Sequence, residues 1–186
     1  GNTAGSLSQS TGSVAIGYQA GANTQSNYSV AIGQSAGQVT QAGQSVAIGY
    51  QAATQNQGTT SIAIGALAGY QNQSSYGVAI GYTSGYATQG QGALAAGYYA
   101  GYTSQGQYGV ALGYQAGYSS QQTNAIAIGY TAGQTSQGAG SIALGYSAGN
   151  VSQSANGIAI GNSSAWTNQY PQAIAIGATS GYQNQG

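Results

Sequence analysis

An apolar triplet returns every sixteen residues along this chain: Val14-Ala15-Ile16, Val30-Ala31-Ile32, Val46-Ala47-Ile48, Ile62-Ala63-Ile64, and so on to Ile174-Ala175-Ile176, without insertion or deletion. A unit this short cannot bury a core alone, so neighbouring units must stack. The triplet alternates large, small, large, which is the pattern of a strand: Val14 and Ile16 share one face and Ala15 points to the other. Helix is a poor alternative, because 34 of the 186 residues are glycine and each costs about 1 kcal/mol relative to alanine inside a helix. Sixteen residues suit two short strands and two turns. The expected fold is all-β, a parallel β-solenoid in the form of a flattened β-roll. About twelve coils at roughly 4.8 Å each would extend on the order of 55 Å. Residues 1–186 read as one array in phase with Gly1, Gly17 and Gly33 through Gly177; starting and stopping inside a unit suggests part of a longer array.

Each column of the aligned repeat predicts a role. The branched flanks of the triplet are expected to fill the core: Val14, Ile16, Val30, Ile32, Val46, Ile48, Ile62, Ile64, Val78, Ile80, Val110, Leu112, Ile126, Ile128, Ile158, Ile160, Ile174 and Ile176. The central residue is alanine in every copy, at Ala15, Ala31, Ala47, Ala63, Ala79, Ala95, Ala111, Ala127, Ala143, Ala159 and Ala175. A position that admits nothing larger than a methyl group is expected at a subunit interface. A glycine follows each triplet, at Gly17, Gly33, Gly49, Gly65, Gly81, Gly97, Gly113, Gly129, Gly145, Gly161 and Gly177. These are expected where the strand turns and needs φ > 0 or a close approach to the next coil.

Eight residues beyond that glycine phase lies an unbroken glutamine column: Gln9, Gln25, Gln41, Gln57, Gln73, Gln89, Gln105, Gln121, Gln137, Gln153, Gln169 and Gln185. Its members are expected to bond one another up and down the stack, as amide ladders do in stacked strands. Tyrosines form two further stripes. One comprises Tyr18, Tyr50, Tyr82, Tyr98, Tyr114, Tyr130 and Tyr146; the other comprises Tyr70, Tyr86, Tyr102, Tyr118 and Tyr182, with Trp166 in phase. Both columns also admit alanine, asparagine or glutamine, which predicts outward stripes that either pack on neighbouring chains or present an aromatic binding surface.

Composition narrows the function. The chain has no Lys, Arg, Asp, Glu, His, Cys, Met or Phe. General acids and bases, nucleophile–base pairs and metal ligands are therefore missing, and no catalytic residue, metal site or cofactor is expected. Without cationic side chains there is no basis for phosphate neutralisation, so nucleic acid is not an expected partner. The apolar runs are far shorter than the roughly 20 residues that span a bilayer, so this segment is not expected to insert in a membrane. Four sequons, beginning at Asn27, Asn72, Asn150 and Asn162, have the form of glycosylation acceptors.

The motif Ser13-Val14-Ala15-Ile16-Gly17, repeated at Ser29-Val30-Ala31-Ile32-Gly33 and Ser45-Val46-Ala47-Ile48-Gly49, resembles the head repeats of trimeric autotransporter adhesins. Related repeats occur in phage and viral tail-fibre-like proteins. The resemblance covers the whole chain through the triplet and turn glycine, although the family's repeats are commonly a little shorter. It implies a left-handed parallel β-roll, three associating chains, branched residues facing the monomer core and alanine near the trimer interface.

The expected function is structural: a β-solenoid segment of an extracellular fibre or filament, on a cell or virion surface, self-associating as a homotrimer or fibre and with an adhesive use for its tyrosine stripes. The surface ligand is unspecified. A functional-amyloid-like matrix fibre is the alternative. Ice binding is a lesser one, because the column beginning at Thr24 reads Thr, Thr, Asn, Asn, Thr, Ser and so breaks the regular threonine ladder that ice binding wants.

Overall fold

The structure is a computed structural model and describes residues 1–184. Among the described residues there is no helix, and the chain winds into a parallel β-solenoid with two strands per coil. One strand is the apolar triplet, from Val14–Ile16 through Ile174–Ile176; the other ends on the column glutamine, from Ser8–Gln9 through Thr167–Gln169. Each set forms an 11-stranded sheet in which every strand pairs with its equivalent in the adjacent coils. The register is that of the sequence period: Val14 pairs with Val30, Ala15 with Ala31 and Ile16 with Ile32, while Gln25 pairs with Gln41.

The facing of the triplet is the reverse of the expected one. Ala31, Ala47, Ala63, Ala79, Ala95, Ala111, Ala127, Ala143 and Ala159 are 0% exposed, Ala175 is nearly so, and Ala15 is partly buried against the same cluster. They line the interior of the coil and are not at a subunit interface. The expected core residues Val14, Ile16, Val30, Ile32, Val46, Ile48, Ile62, Ile64, Val78, Ile80, Val110, Leu112, Ile126, Ile128, Ile158, Ile160, Ile174 and Ile176 all lie on the outer face, half-buried or exposed. The reason is thickness. The opposite wall supplies glutamine and the corners supply alanine, serine and glycine, so the two sheets lie too close for two rows of branched side chains. Opposite the inward-pointing glutamines, only a methyl group fits.

The interior is therefore built of small residues. Besides the triplet alanines it holds a column three residues after the turn glycine, such as Ala20, Ala36, Ala52, Ala68, Ala100 and Ala116, and serines such as Ser29, Ser45 and Ser61, all 0% exposed. The largest fully buried side chains are the column glutamines from Gln25 to Gln169. Amphipathic alternation identified the strand but could not say which of its two faces turned inward.

Corners are made by left-handed residues. All eleven turn glycines have φ between 116° and 132°, and a Cβ on Gly49 would stand 2.6 Å from the Gly65 carbonyl oxygen of the next coil. Both conformation and space thus exclude a side chain there. Further corners use non-glycine residues, at the columns of Gln19 (φ 56°) and Tyr28 (φ 58°). From Asn56 onward the middle residue of the glutamine strand is also left-handed, so only its flanking residues pair across coils, as Ala87 with Thr103 and Gln89 with Gln105.

Candidate interaction surfaces

The glutamine column is interior and structural in its contacts. Each Nε2 from Gln25 to Gln169 donates to a carbonyl of the triplet strand at 2.6–2.8 Å, as Gln105 does to Leu94 (2.7 Å). The same nitrogen donates to the carbonyl four residues on, as in Gln105 to Gly109 at 3.1 Å. The amide therefore ties one sheet to the other across the interior. The expected glutamine-to-glutamine bonds form only in two runs, Gln57 to Gln105 and Gln121 to Gln153. The Oε1 atoms of Gln57 and Gln121, at the start of each run, and of Gln25, Gln41 and Gln169, outside them, are buried without a hydrogen bond. Gln9 lies on the exposed first coil, and Gln185 lies outside the described residues.

Serine in the preceding corner modulates this tie. In the buried coils where the residue four beyond the glutamine is serine, Ser29, Ser45, Ser61 and Ser141, its Oγ donates locally and the Nε2 bond to its carbonyl is 3.3–3.5 Å; on the exposed first coil the bond to Ser13 is 3.1 Å. Where it is glycine or alanine, the bond is 2.8–3.1 Å.

Outside, the triplet sheet presents two rows of branched aliphatic side chains across all 11 of its strands. Ile16, Ile64, Ile80, Leu112, Leu144 and Ile176 are each more than a third exposed. The row is interrupted once, at Ala96, which aligns with Ile80 on one side and Leu112 on the other. Spanning about 53 by 10 Å, this face is on the order of 500 Å², as large as the largest apolar patches on ordinary monomers. No charged residue borders it, since the chain has none.

Beside it run the tyrosines. Tyr82, Tyr98, Tyr114, Tyr130 and Tyr146 stack in one row with centroids 4.8–5.3 Å apart. Tyr70, Tyr86, Tyr102 and Tyr118 stack in a second at 4.9–5.1 Å, and Trp166 stacks on Tyr182 at 5.7 Å. Tyr18 and Tyr50 belong to the first column and are exposed; they have no tyrosine neighbour because the intervening positions are Gln34 and Ala66. Burial is the main cause that raises the phenols of Tyr86, Tyr98 and Tyr118 above the ordinary tyrosine value, with neighbouring tyrosines adding to it.

Sequence reasoning singled out these two stripes but not Tyr99, whose ring links them: its centroid is 4.5 Å from that of Tyr98 and 5.2 Å from that of Tyr102. It is a lone tyrosine in its column, so no periodicity marked it. Of the sequon asparagines, Asn150 is buried and its Nδ2 donates to the Thr131 carbonyl at 2.9 Å. Asn27, Asn72 and Asn162 are exposed.

No group of three or more metal-ligating side chains is found among the described residues, and no helix among them is long and apolar enough to cross a membrane. No curated protein and no solved structure matches the chain. The family model of the YadA head domain repeat (2 copies) matches residues 8–36, 42–68 and 120–148. With those matches set on a parallel β-solenoid that carries the same triplet from end to end, the chain is similar to the head repeats of trimeric autotransporter adhesins, a structural repeat family and not an enzyme family.

Proposed function

We propose that this chain is a stiff structural segment of an extracellular, adhesin-like fibre, and that it assembles with copies of itself through the aliphatic face of the triplet sheet. The observation that carries the reading is the continuity of that face. Two in-register rows of Val, Ile and Leu, interrupted at Ala96 alone, run along the described triplet sheet, and a flat apolar strip of this size is stabilised by being removed from water. Each chain offers one such face along its axis. Three copies related by a rotation about a parallel axis would turn the faces toward one another, forming a closed trimer of the kind the repeat family suggests. The alanine column cannot supply this contact, because it lies inside the coil.

Complete absence of charged side chains fits close lateral packing, since like charges repeated at strand spacing would repel within each ladder. The single array spanning residues 1–186 would act as one rod, displayed on a cell or virion surface.

The test is mass in solution. Sedimentation equilibrium of the native protein should give three times the chain mass, and the pair I80K and I128K should give a folded monomer with an unchanged far-UV dichroism spectrum. A native monomer at micromolar concentration, or a trimer unaffected by the two lysines, would refute this assembly.

A further inference from the structure

The tyrosine rows hold like rings face to face in successive coils. Seven pairs are stacked, four in the row from Tyr82 to Tyr146 and three in the row from Tyr70 to Tyr118, with centroids 4.8–5.3 Å apart and planes within 2–19° of parallel. The first row is open to solvent: Tyr82, Tyr98, Tyr114, Tyr130 and Tyr146 are 39–54% exposed. Six other tyrosines, Tyr18, Tyr28, Tyr50, Tyr76, Tyr108 and Tyr170, are 49–63% exposed and touch no other ring among the described residues.

Stacking of this kind suits one reaction. Removing a hydrogen atom from a phenol leaves a phenoxyl radical, whose unpaired electron is shared with the ring carbons ortho to the oxygen and occupies orbitals perpendicular to the ring plane. Two such radicals join through those carbons. Stacked rings point the reacting orbitals at one another, and the paired backbones keep them side by side, so coupling does not wait for a diffusional encounter. Composition keeps the oxidation on tyrosine. The chain has no Cys, Met or His, and Trp166 is its single tryptophan, so the sulfur side chains that ordinarily intercept oxidants are missing.

We propose that the two tyrosine rows are a modification site, at which a haem peroxidase and hydrogen peroxide couple neighbouring rings into dityrosine and so join successive coils covalently. For each link one hydrogen atom is taken from each of two phenols, and one hydrogen peroxide is reduced to two waters. The two radicals form a carbon–carbon bond between ortho carbons, and the hydrogens on those carbons pass as protons to the phenolic oxygens, restoring both rings. With each ring coupling once, the row of five yields two links and the row of four yields two. Each coil pairs only with its neighbours, so a link such as Tyr114 to Tyr130 closes a loop of one coil and opposes peeling of the solenoid. The reaction lies within one chain and does not rest on the proposed assembly.

The experiment treats the full chain with a plant haem peroxidase and hydrogen peroxide. Dityrosine is followed by its fluorescence, chain mass by denaturing electrophoresis and the linked positions by peptide mass mapping. The expected product runs as a single chain, carries up to four links between stacked partners, and unfolds at a higher temperature than the untreated protein. The triple variant Y98A, Y102Q and Y130A leaves one stacked pair, Tyr70 with Tyr86, and should lose about three quarters of the dityrosine, since coupling follows from held proximity. The triple variant Y50Q, Y76N and Y108N removes as many tyrosines but no stacked pair, and should lose none. All six substitutions use residue types already present in their columns, at Ala66, Gln134, Gln34 and Asn124, and preserve the fold. The proposal is overturned if no dityrosine forms, if the two triple variants lose it equally, as random encounter of surface tyrosines would give, if the links join separate chains, or if the linked protein unfolds no higher.

Discussion

At Gln105 one amide nitrogen serves carbonyls from two different places, Leu94 and Gly109, while its oxygen accepts from Gln89. All of these groups are removed from water. Replacing Gln105 by leucine removes its two bonds to these carbonyls, of which Gly109 keeps the Leu94 N–H, and takes an acceptor from Gln89, so Q105L should lower stability by about 1–3 kcal/mol in thermal or denaturant unfolding. Q105E should be worse, because a carboxylate cannot donate and would sit charged among carbonyl oxygens. The same reasoning applies to the interior methyls. A111V adds two carbons where a Cβ on Gly117 would already stand 3.2 Å from Ala111, and it should cost about 1–3 kcal/mol in the same measurement. A valine at the adjacent outward position, Val110, is native.

The element that repeats is a corner-strand-corner-strand coil whose corners depend on positive φ. G81A combines a strained φ of 123° with a Cβ 2.7 Å from the Gly97 oxygen, and should destabilise by about 3 kcal/mol or more, read as a fall in the unfolding midpoint. The tyrosine rows give the stack its pH response. Folding raises the phenols of Tyr86, Tyr98 and Tyr118, so the folded state holds those protons more tightly than the unfolded chain. Their contribution is fully present below the ordinary tyrosine value of about 10 and is lost as pH rises through the higher folded values. The sequence has no Asp, Glu, His, Cys, Lys or Arg, so tyrosine is its one titratable type of side chain. The midpoint temperature should therefore be flat from acid to mildly alkaline pH and fall only in the tyrosine range; a clear acid transition would contradict this.

At the scale of the whole molecule, each coil pairs only with its two neighbours, so stability is close to a sum of coil and interface contributions. Deleting residues 98–113 joins Gly97 to Tyr114 in phase and should yield a folded rod shorter by about 4.8 Å, seen as a smaller maximum dimension in X-ray scattering. Deleting 98–111 joins Gly97 to Leu112 out of phase and should melt the neighbouring coils. The period of sixteen, the strand at each triplet, the turn at each glycine and the parallel register were all legible in the sequence, because backbone pairing between identical units leaves one in-phase solution. The rings of the two tyrosine stripes were legible as columns for the same reason. The facing of Val14 and Ala15 was not, since alternation gives two faces without an inside and an outside. That choice depends on the distance between the two sheets, which is fixed jointly by Gln25, Ala20, Ser29 and their equivalents in three dimensions. The sequence alone thus determined a solenoid of stacked sixteen-residue coils; tertiary packing, through an interior that leaves room for only a methyl group opposite each glutamine, decided that the branched side chains face outward.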